Sequence, residues 1–162
     1  MNKRINLNSA MRKIFNSKVL YVCVLPSKKH ITKEIDAFFK SVTLYEKNGK
    51  KCFSTKNIFE SNVHTPKNEL SIVNWEWDTN EIYLDKSLIK INYKKSIIWS
   101  INIIERRLRE NFSGNSFVIS FCIQSGRFRN INIRIFQDLG YSLLNENLDE
   151  YSQPILQVYL KT

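Results

Sequence analysis

Residues 117–136 read FVISFCIQSGRFRNINIRIF, and this stretch constrains the fold more than any other. Phe117, Ile119, Phe121 and Ile123 recur every second residue, as do Ile131, Ile133 and Ile135. A period of two places each set on one face of a β-strand. Ser125-Gly126-Arg127 supplies the turn between the runs, so the segment predicts an antiparallel hairpin with one apolar face. The returning run changes phase, from Phe128 at an even position to Ile131, Ile133 and Ile135 at odd ones, which predicts a bulge near Arg129 and Asn130. Such a face needs a second layer to cover it.

The cover is also written in the sequence. Ile97, Ile101, Ile104, Leu108 and Phe112 recur at helical spacing, with Glu105, Arg106, Arg109 and Glu110 largely off that stripe. Ser113-Gly114-Asn115 ends this helix, with Gly114 as the left-handed cap. A shorter helix is predicted at about 32–42, with Thr32 as N-cap, Glu34 and Asp36 in its first turn, and Ile35, Phe38, Phe39 and Val42 on one face. Asn8–Ser17 reads as a short N-terminal helix with Leu7, Met11, Ile14 and Phe15 on one side. Asn48-Gly49, between Val42–Glu46 and Lys51–Ser54, is a hairpin signal. Val19–Leu25, Leu70–Asp78, Ile82–Leu84, Leu88–Tyr93 and Ile155–Leu160 read as strands, and Trp75 and Trp77 would share a face of the second. Residues 54–68 and 145–151 read as polar loops. Strands and helices do not alternate as βαβ units. The expected fold class is α+β: a mainly antiparallel β-sheet with a long amphipathic helix (about 96–112) and a shorter helix (about 32–42) packed against it. The 162 residues form one globular domain, 1–162, large enough to bury a core without staples.

The three thiols, Cys23, Cys52 and Cys122, are widely spaced and odd in number, which fits core residues of a reducing compartment rather than a disulfide framework. No apolar run approaches a membrane span, and the basic N-terminal stretch lacks the apolar core of a signal peptide. A cytoplasmic protein without a membrane partner is expected.

The net charge of +10 is unevenly spread. Residues 1–69 hold 14 Lys and Arg against 5 Asp and Glu, whereas residues 70–162 hold 11 against 10. A basic half favours nucleic acid, phosphates or an acidic protein. Two stretches run the other way. Glu76, Asp78, Glu81 and Asp85 occur with no intervening cation, as do Glu146, Asp149 and Glu150.

No catalytic motif, metal-ligand spacing or cofactor cradle is present: HExxH, paired Cys/His, GxxxxGK[ST], GxGxxG and GxSxG are all missing from the sequence. No catalytic residue, metal ligand or cofactor is therefore assigned. His30 and His64 lie in lysine-rich stretches. They read first as solvated loop residues, although two histidines with a lysine are chemically adequate for metal-independent RNA cleavage. Arg127, Phe128, Arg129 and Arg134 combine cations with an aromatic on one hairpin, a pattern that can neutralise phosphates and stack bases.

The layout of the C-terminal quarter, a hairpin FVISFCIQSGRFRNINIRIF, a polar segment NENLDEY and a last strand PILQVYL, resembles the end of small immunity proteins of bacterial contact-dependent growth inhibition and related polymorphic toxin systems. The resemblance implies a non-catalytic inhibitor that binds and neutralises a cognate protein toxin. It carries over no functional residue. Glu146, Asp149 and Glu150 are the first expectation for a toxin-facing acidic patch, and Glu76, Asp78 and Glu81 the second. The competing expectations are a nucleic-acid-binding protein using the basic N-terminal half and the 127–134 hairpin, and a small metal-independent ribonuclease toxin using His30 and His64.

Overall fold

The computed structural model describes residues 3–16, 28–47, 49–55, 68–84, 93–124, 130–144 and 147–162. Within them the chain runs β1 (Lys3–Leu7), α1 (Ser9–Asn16), α2 (Lys28–Ser41), β2 (Val42–Lys47), β3 (Lys50–Thr55), α3 (Glu69–Thr79), β4 (Glu81–Leu84), α4 (Tyr93–Asn111), β5 (Ser116–Ile123), β6 (Ile131–Gln137), a 3-10 turn (Leu148–Glu150) and β7 (Ile155–Lys161). The expected α+β class is observed. Five strands form one antiparallel sheet in the order β1-β7-β5-β6-β4, and β2 pairs with β3 as a separate hairpin.

The alternation of β5 and β6 does what its period dictates. Phe121 pairs with Ile133 and Leu156, and Ile119 with Ile135 and Val158, so apolar residues from three strands line up on the first face of the sheet. Helices α1, α2 and α4 cover that face. Ile97, Ile101, Ile104 and Leu108 of α4 and Ile31 and Ile35 of α2 join Phe117, Ile119, Phe121 and Val158 in the main core. The β2–β3 hairpin contributes Phe53, whose ring meets Phe112 at 5.1 Å and Phe117 at 5.2 Å edge-to-face. Asp36 of α2 ties to Arg107 of α4 at 2.8 Å, and Lys3 of β1 to Glu105 at 2.7 Å.

The second face carries a smaller cluster, Val118 and Phe136 against Val73 of α3, with Trp77, Leu139, Leu143 and Tyr159 around it. This face is only partly covered, and it leaves Ser120, Cys122, Asn132 and Arg134 pointing the same way.

Several expectations are corrected. Leu70–Asp78 is helical, not extended. Asn68 and Ser71 form a reciprocal capping box, which starts α3. Trp75 and Trp77 therefore do not share a face. Helix α2 begins at Lys28, and Thr32 lies inside it, its hydroxyl donating to the Lys28 carbonyl. Thr32 is not an N-cap, and Glu34 and Asp36 lie beyond the first turn. Leu7 belongs to β1, an edge strand whose Lys3, Arg4 and Asn6 gave no apolar alternation. Ser54 and Thr55 belong to β3, and Tyr93 opens α4 rather than ending a strand. The hairpin at Gly49 (φ 72°), the positive φ of Gly114 (83°) and the strands at 82–84 and 155–160 agree with the sequence reading. The run Val19–Leu25, the strand piece 88–92 and the 125–129 turn lie outside the described residues. Among those described, no helix is long and apolar enough to cross a membrane.

Candidate functional site

Strand geometry places the polar residues of β5 and β6 on the second face. Ser120 pairs with Arg134 and Cys122 with Asn132, so the four side chains form a two-by-two polar array. Trp77 reaches this array from α3, and Leu144, Tyr151, Gln153 and Ile155 border it. Together they line a cavity of about 110 Å³.

The charges at the array are matched. Arg134 is ion-paired through one terminal nitrogen with Glu81 Oε1, and its guanidinium lies 4.7 Å from the centre of the Trp77 ring. Asn132 Nδ2 donates to the same Glu81 oxygen at 2.8 Å, and Tyr83 donates its hydroxyl to the other. Partial burial pushes the Glu81 carboxyl up. The hydrogen bonds from Tyr83 and Asn132 and the Arg134 charge outweigh it and hold the group below the usual carboxylate range. Cys122 Sγ donates to Gln153 Oε1 at 3.1 Å. Burial raises the thiol pKa, only partly opposed by Arg134, so it is not an activated nucleophile.

The sequence-derived candidates fall in different places. Glu76 is completely buried, where α3 meets β3 and β6, and so cannot face a partner. It accepts hydrogen bonds from Phe53 N (2.6 Å), Gln137 N (2.7 Å) and Gln137 Nε2 (2.6 Å). Desolvation raises its pKa to about 7 against these donors. Asp78 is exposed on the outer side of α3. Glu81 is engaged with Arg134, Asn132 and Tyr83, so the second acidic patch dissolves into one buried group, one paired group and one exposed group. Of the first patch, Glu150 is exposed, Glu146 lies outside the described residues, and Asp149 has a local role. The Asp149 side chain accepts from Ser9 N at the start of α1, and that hydrogen bond lowers its pKa.

Of the basic hairpin, Arg134 is neutralised by Glu81, and Arg127, Phe128 and Arg129 lie outside the described residues. His30 sits on α2 rather than in a loop, with Nε2 3.5 Å from Glu34 Oε1, and His64 lies outside the described residues. Among the described residues, no three His, Cys, Asp or Glu side chains are grouped to hold a metal ion.

The residues missed by sequence reading are Ser120, Cys122 and Asn132, while Trp77 was noted but placed on a strand rather than on α3. The signal for the first three was the polar phase of the very alternation that revealed β5 and β6. Other aromatic and cationic groups share this face. Arg4 of β1 lies over the Tyr159 ring at 4.1 Å, and Tyr83 at the opposite edge is 51% exposed. No family model, curated protein or solved structure matches the chain.

Proposed function

We propose that the chain is an immunity-type inhibitor that neutralises a cognate bacterial toxin domain by protein–protein contact, and that the second face of the sheet is the contact surface. One observation carries this reading. Trp77, Arg134, Tyr83, Tyr159 and Arg4 occupy one partly covered face, and Trp, Tyr and Arg are the residue types that dominate binding hot spots. Each offers a large contact area with a polar end that can still hydrogen-bond.

The framework suits the task. The face stands on a five-stranded sheet whose other side is packed with apolar residues, so its side chains are held before a partner arrives. The C-terminal quarter, which resembles immunity proteins in layout, supplies β5, β6 and β7 of this same sheet. The acidic groups first expected at the interface give way to an aromatic and arginine surface, with Asp78 and Glu150 as exposed acidic residues.

The test is co-expression of this chain with the toxin domain encoded beside it. Growth is restored, and the two proteins elute as one complex. Replacing exposed Tyr83 and Arg4 together by Ala weakens protection, while replacing exposed Lys95 and Arg106 on α4 leaves it unchanged. Failure to restore growth together with failure to form a complex removes the reading. RNA binding that falls steeply with added salt, without any such complex, would put the nucleic-acid alternative in its place.

A further inference from the structure

β1 stands at one end of the strand order, and among the described residues nothing pairs with its outer side. Asn8 donates its N–H to Ile155 O at 3.1 Å, in register with the β1–β7 ladder. Alternation then turns the N–H and C=O of Asn6 and Arg4 toward β7 as well, and those of Lys3, Ile5 and Leu7 outward. These three N–H and three C=O groups have no hydrogen-bond partner among the described residues. Such a row is a ready template for one more strand. The charged side chains leave it clear. Lys3 reaches over the first face to Glu105, and Arg4 lies over the Tyr159 ring on the second. Ile5 is 48% exposed at the end of an otherwise buried apolar line, Val158, Ile119 and Ile135.

Charge decides what that strand must carry. Lys3 and Arg109 share one carboxylate, Glu105, at 2.7 and 3.2 Å. Arg4 and Lys161 are exposed on the second face, one opposite Tyr159 and the other two residues beyond it, and neither has an ion-pair partner among the described residues. Cations thus outnumber carboxylates around this edge. A second copy of the chain would bring the same excess, on a molecule of net charge +10. A strand bearing Asp or Glu relieves it, since opposite charges across neighbouring strands attract and like charges repel. In an antiparallel addition the residue opposite Ile5 shares the first face and turns its own N–H and C=O to β1. Its neighbours fall on the second face, beside Arg4. The fitting pattern is an apolar residue opposite Ile5, alternating with acidic ones.

We infer that the outer edge of β1 takes an acidic, extended segment of a partner protein as a sixth strand, bonded to the N–H and C=O groups of Lys3, Ile5 and Leu7. Resting on the immunity-type reading, the segment belongs to the toxin domain. It would lengthen the second face by one strand and set its carboxylates against Arg4 and Lys161.

The chemistry is tested on the isolated chain by amide hydrogen exchange with three short, end-capped peptides. One alternates valine and glutamate, one is the same peptide N-methylated at every valine, and one alternates valine and lysine. The valine–glutamate peptide slows exchange at Lys3, Ile5 and Leu7 by about tenfold at about nine-tenths occupancy, and leaves Arg4 and Asn6, which already face β7, little changed. The methylated peptide lacks the N–H groups that face β1 and has no effect, and the lysine peptide binds at least about tenfold more weakly. No slowing with up to about 5 mM of the first peptide, or equal slowing by the lysine peptide, overturns the inference. Slowing that grows with protein concentration alone places a second copy on the edge and overturns it too. Ile5→Pro removes an outward N–H that the β1–β7 ladder does not use, which an edge strand tolerates, and it abolishes peptide binding. If that variant fails to fold, Arg4→Glu weakens the peptide by about tenfold or more instead. Unchanged binding in the folded variant refutes the strand addition. Adding the toxin domain identifies the source. Slowed exchange at the same three amides in the complex supports a toxin strand, and a complex that leaves them unchanged overturns that assignment. A chain that takes the peptide yet neither rescues growth nor forms a complex refutes the immunity reading alone.

Discussion

Gln137 gives both its backbone N–H and its side-chain amide to the two oxygens of one buried carboxyl, that of Glu76, at 2.7 and 2.6 Å. The same carboxyl accepts from Phe53 N, and Gln137 Nε2 also reaches the Lys51 carbonyl at 3.0 Å. One side chain on α3 thereby fastens the β2–β3 hairpin to the end of β6.

This arrangement predicts an unusual pH dependence. Burial raises the Glu76 pKa from 4.5 to about 7. Between those values the folded chain holds a proton that the unfolded chain releases. Its contribution to stability is complete below about pH 4.5 and is lost as pH rises through about 7, a change of roughly 3 kcal/mol at most. Denaturant unfolding at pH 5.0 and 7.5 should therefore show lower stability at the higher pH. Glu76→Gln should flatten the slope, and it should also destabilise the fold at pH 5.0, because its NH₂ group meets donors. A flat profile in the wild-type chain would contradict the assignment.

Glu76 also explains why α3 was misread. Positions 72, 73 and 76 and the C-cap at 80 are its buried side, and two of them, Glu76 and Asn80, are polar. Their hydrogen bonds to Phe53 and Gln137 replace the apolar contacts a helical stripe would have made, leaving Trp75 and Trp77 as the visible pattern, with the period of a strand. Where burial was apolar, as in α4, β5 and β6, periodicity revealed both element and face. The candidate site was legible only in part. Ser120, Cys122, Asn132 and Arg134 are the reverse phase of those strands, but only the folded sheet brings Trp77 and Glu81 beside them. Local sequence carries no information about pairing across fifty residues.

Glu81 and Arg134 provide a test of opposite sign. The Glu81 pKa is held below its ordinary value, so its stabilisation is present above that value and lost as pH falls. Glu81→Gln should cost about 1 kcal/mol or less at pH 7, since the pair is partly open to solvent, and the difference from wild type should begin to close only as pH falls below the ordinary carboxylate value of 4.5. Chemical denaturation across that range measures it.

Phe53 tests whether the hairpin belongs to the core. It is fully buried, and its ring contacts Phe38, Phe112 and Phe117. Phe53→Ala should destabilise the fold by about 3–5 kcal/mol, and Phe53→Leu by less, because more of the volume is retained. Equal unfolding midpoints for the two variants would mean that the hairpin folds independently of the sheet.

Asn8 tests how the chain closes on itself. It is 1% exposed and stands between β1 and α1. Its Oδ1 accepts from Met11 N at 2.9 Å, capping α1, and from Ile155 N at 3.0 Å, at the start of β7. Its Nδ2 donates to Gln153 O at 2.6 Å and Tyr151 O at 3.2 Å. An amide is required, because one end must accept and the other must donate. Asn8→Asp keeps the cap but turns an oxygen toward two carbonyls, and Asn8→Ala leaves all four groups unpaired. Each should cost about 2–4 kcal/mol, more than the roughly 1 kcal/mol of an ordinary exposed cap. Because Tyr151 and Gln153 border the cavity on the second face, both variants should also disturb the NMR signals of Cys122 and Asn132. A loss of about 1 kcal/mol with those signals unmoved would show that Asn8 only caps α1 and does not hold the rim of the site.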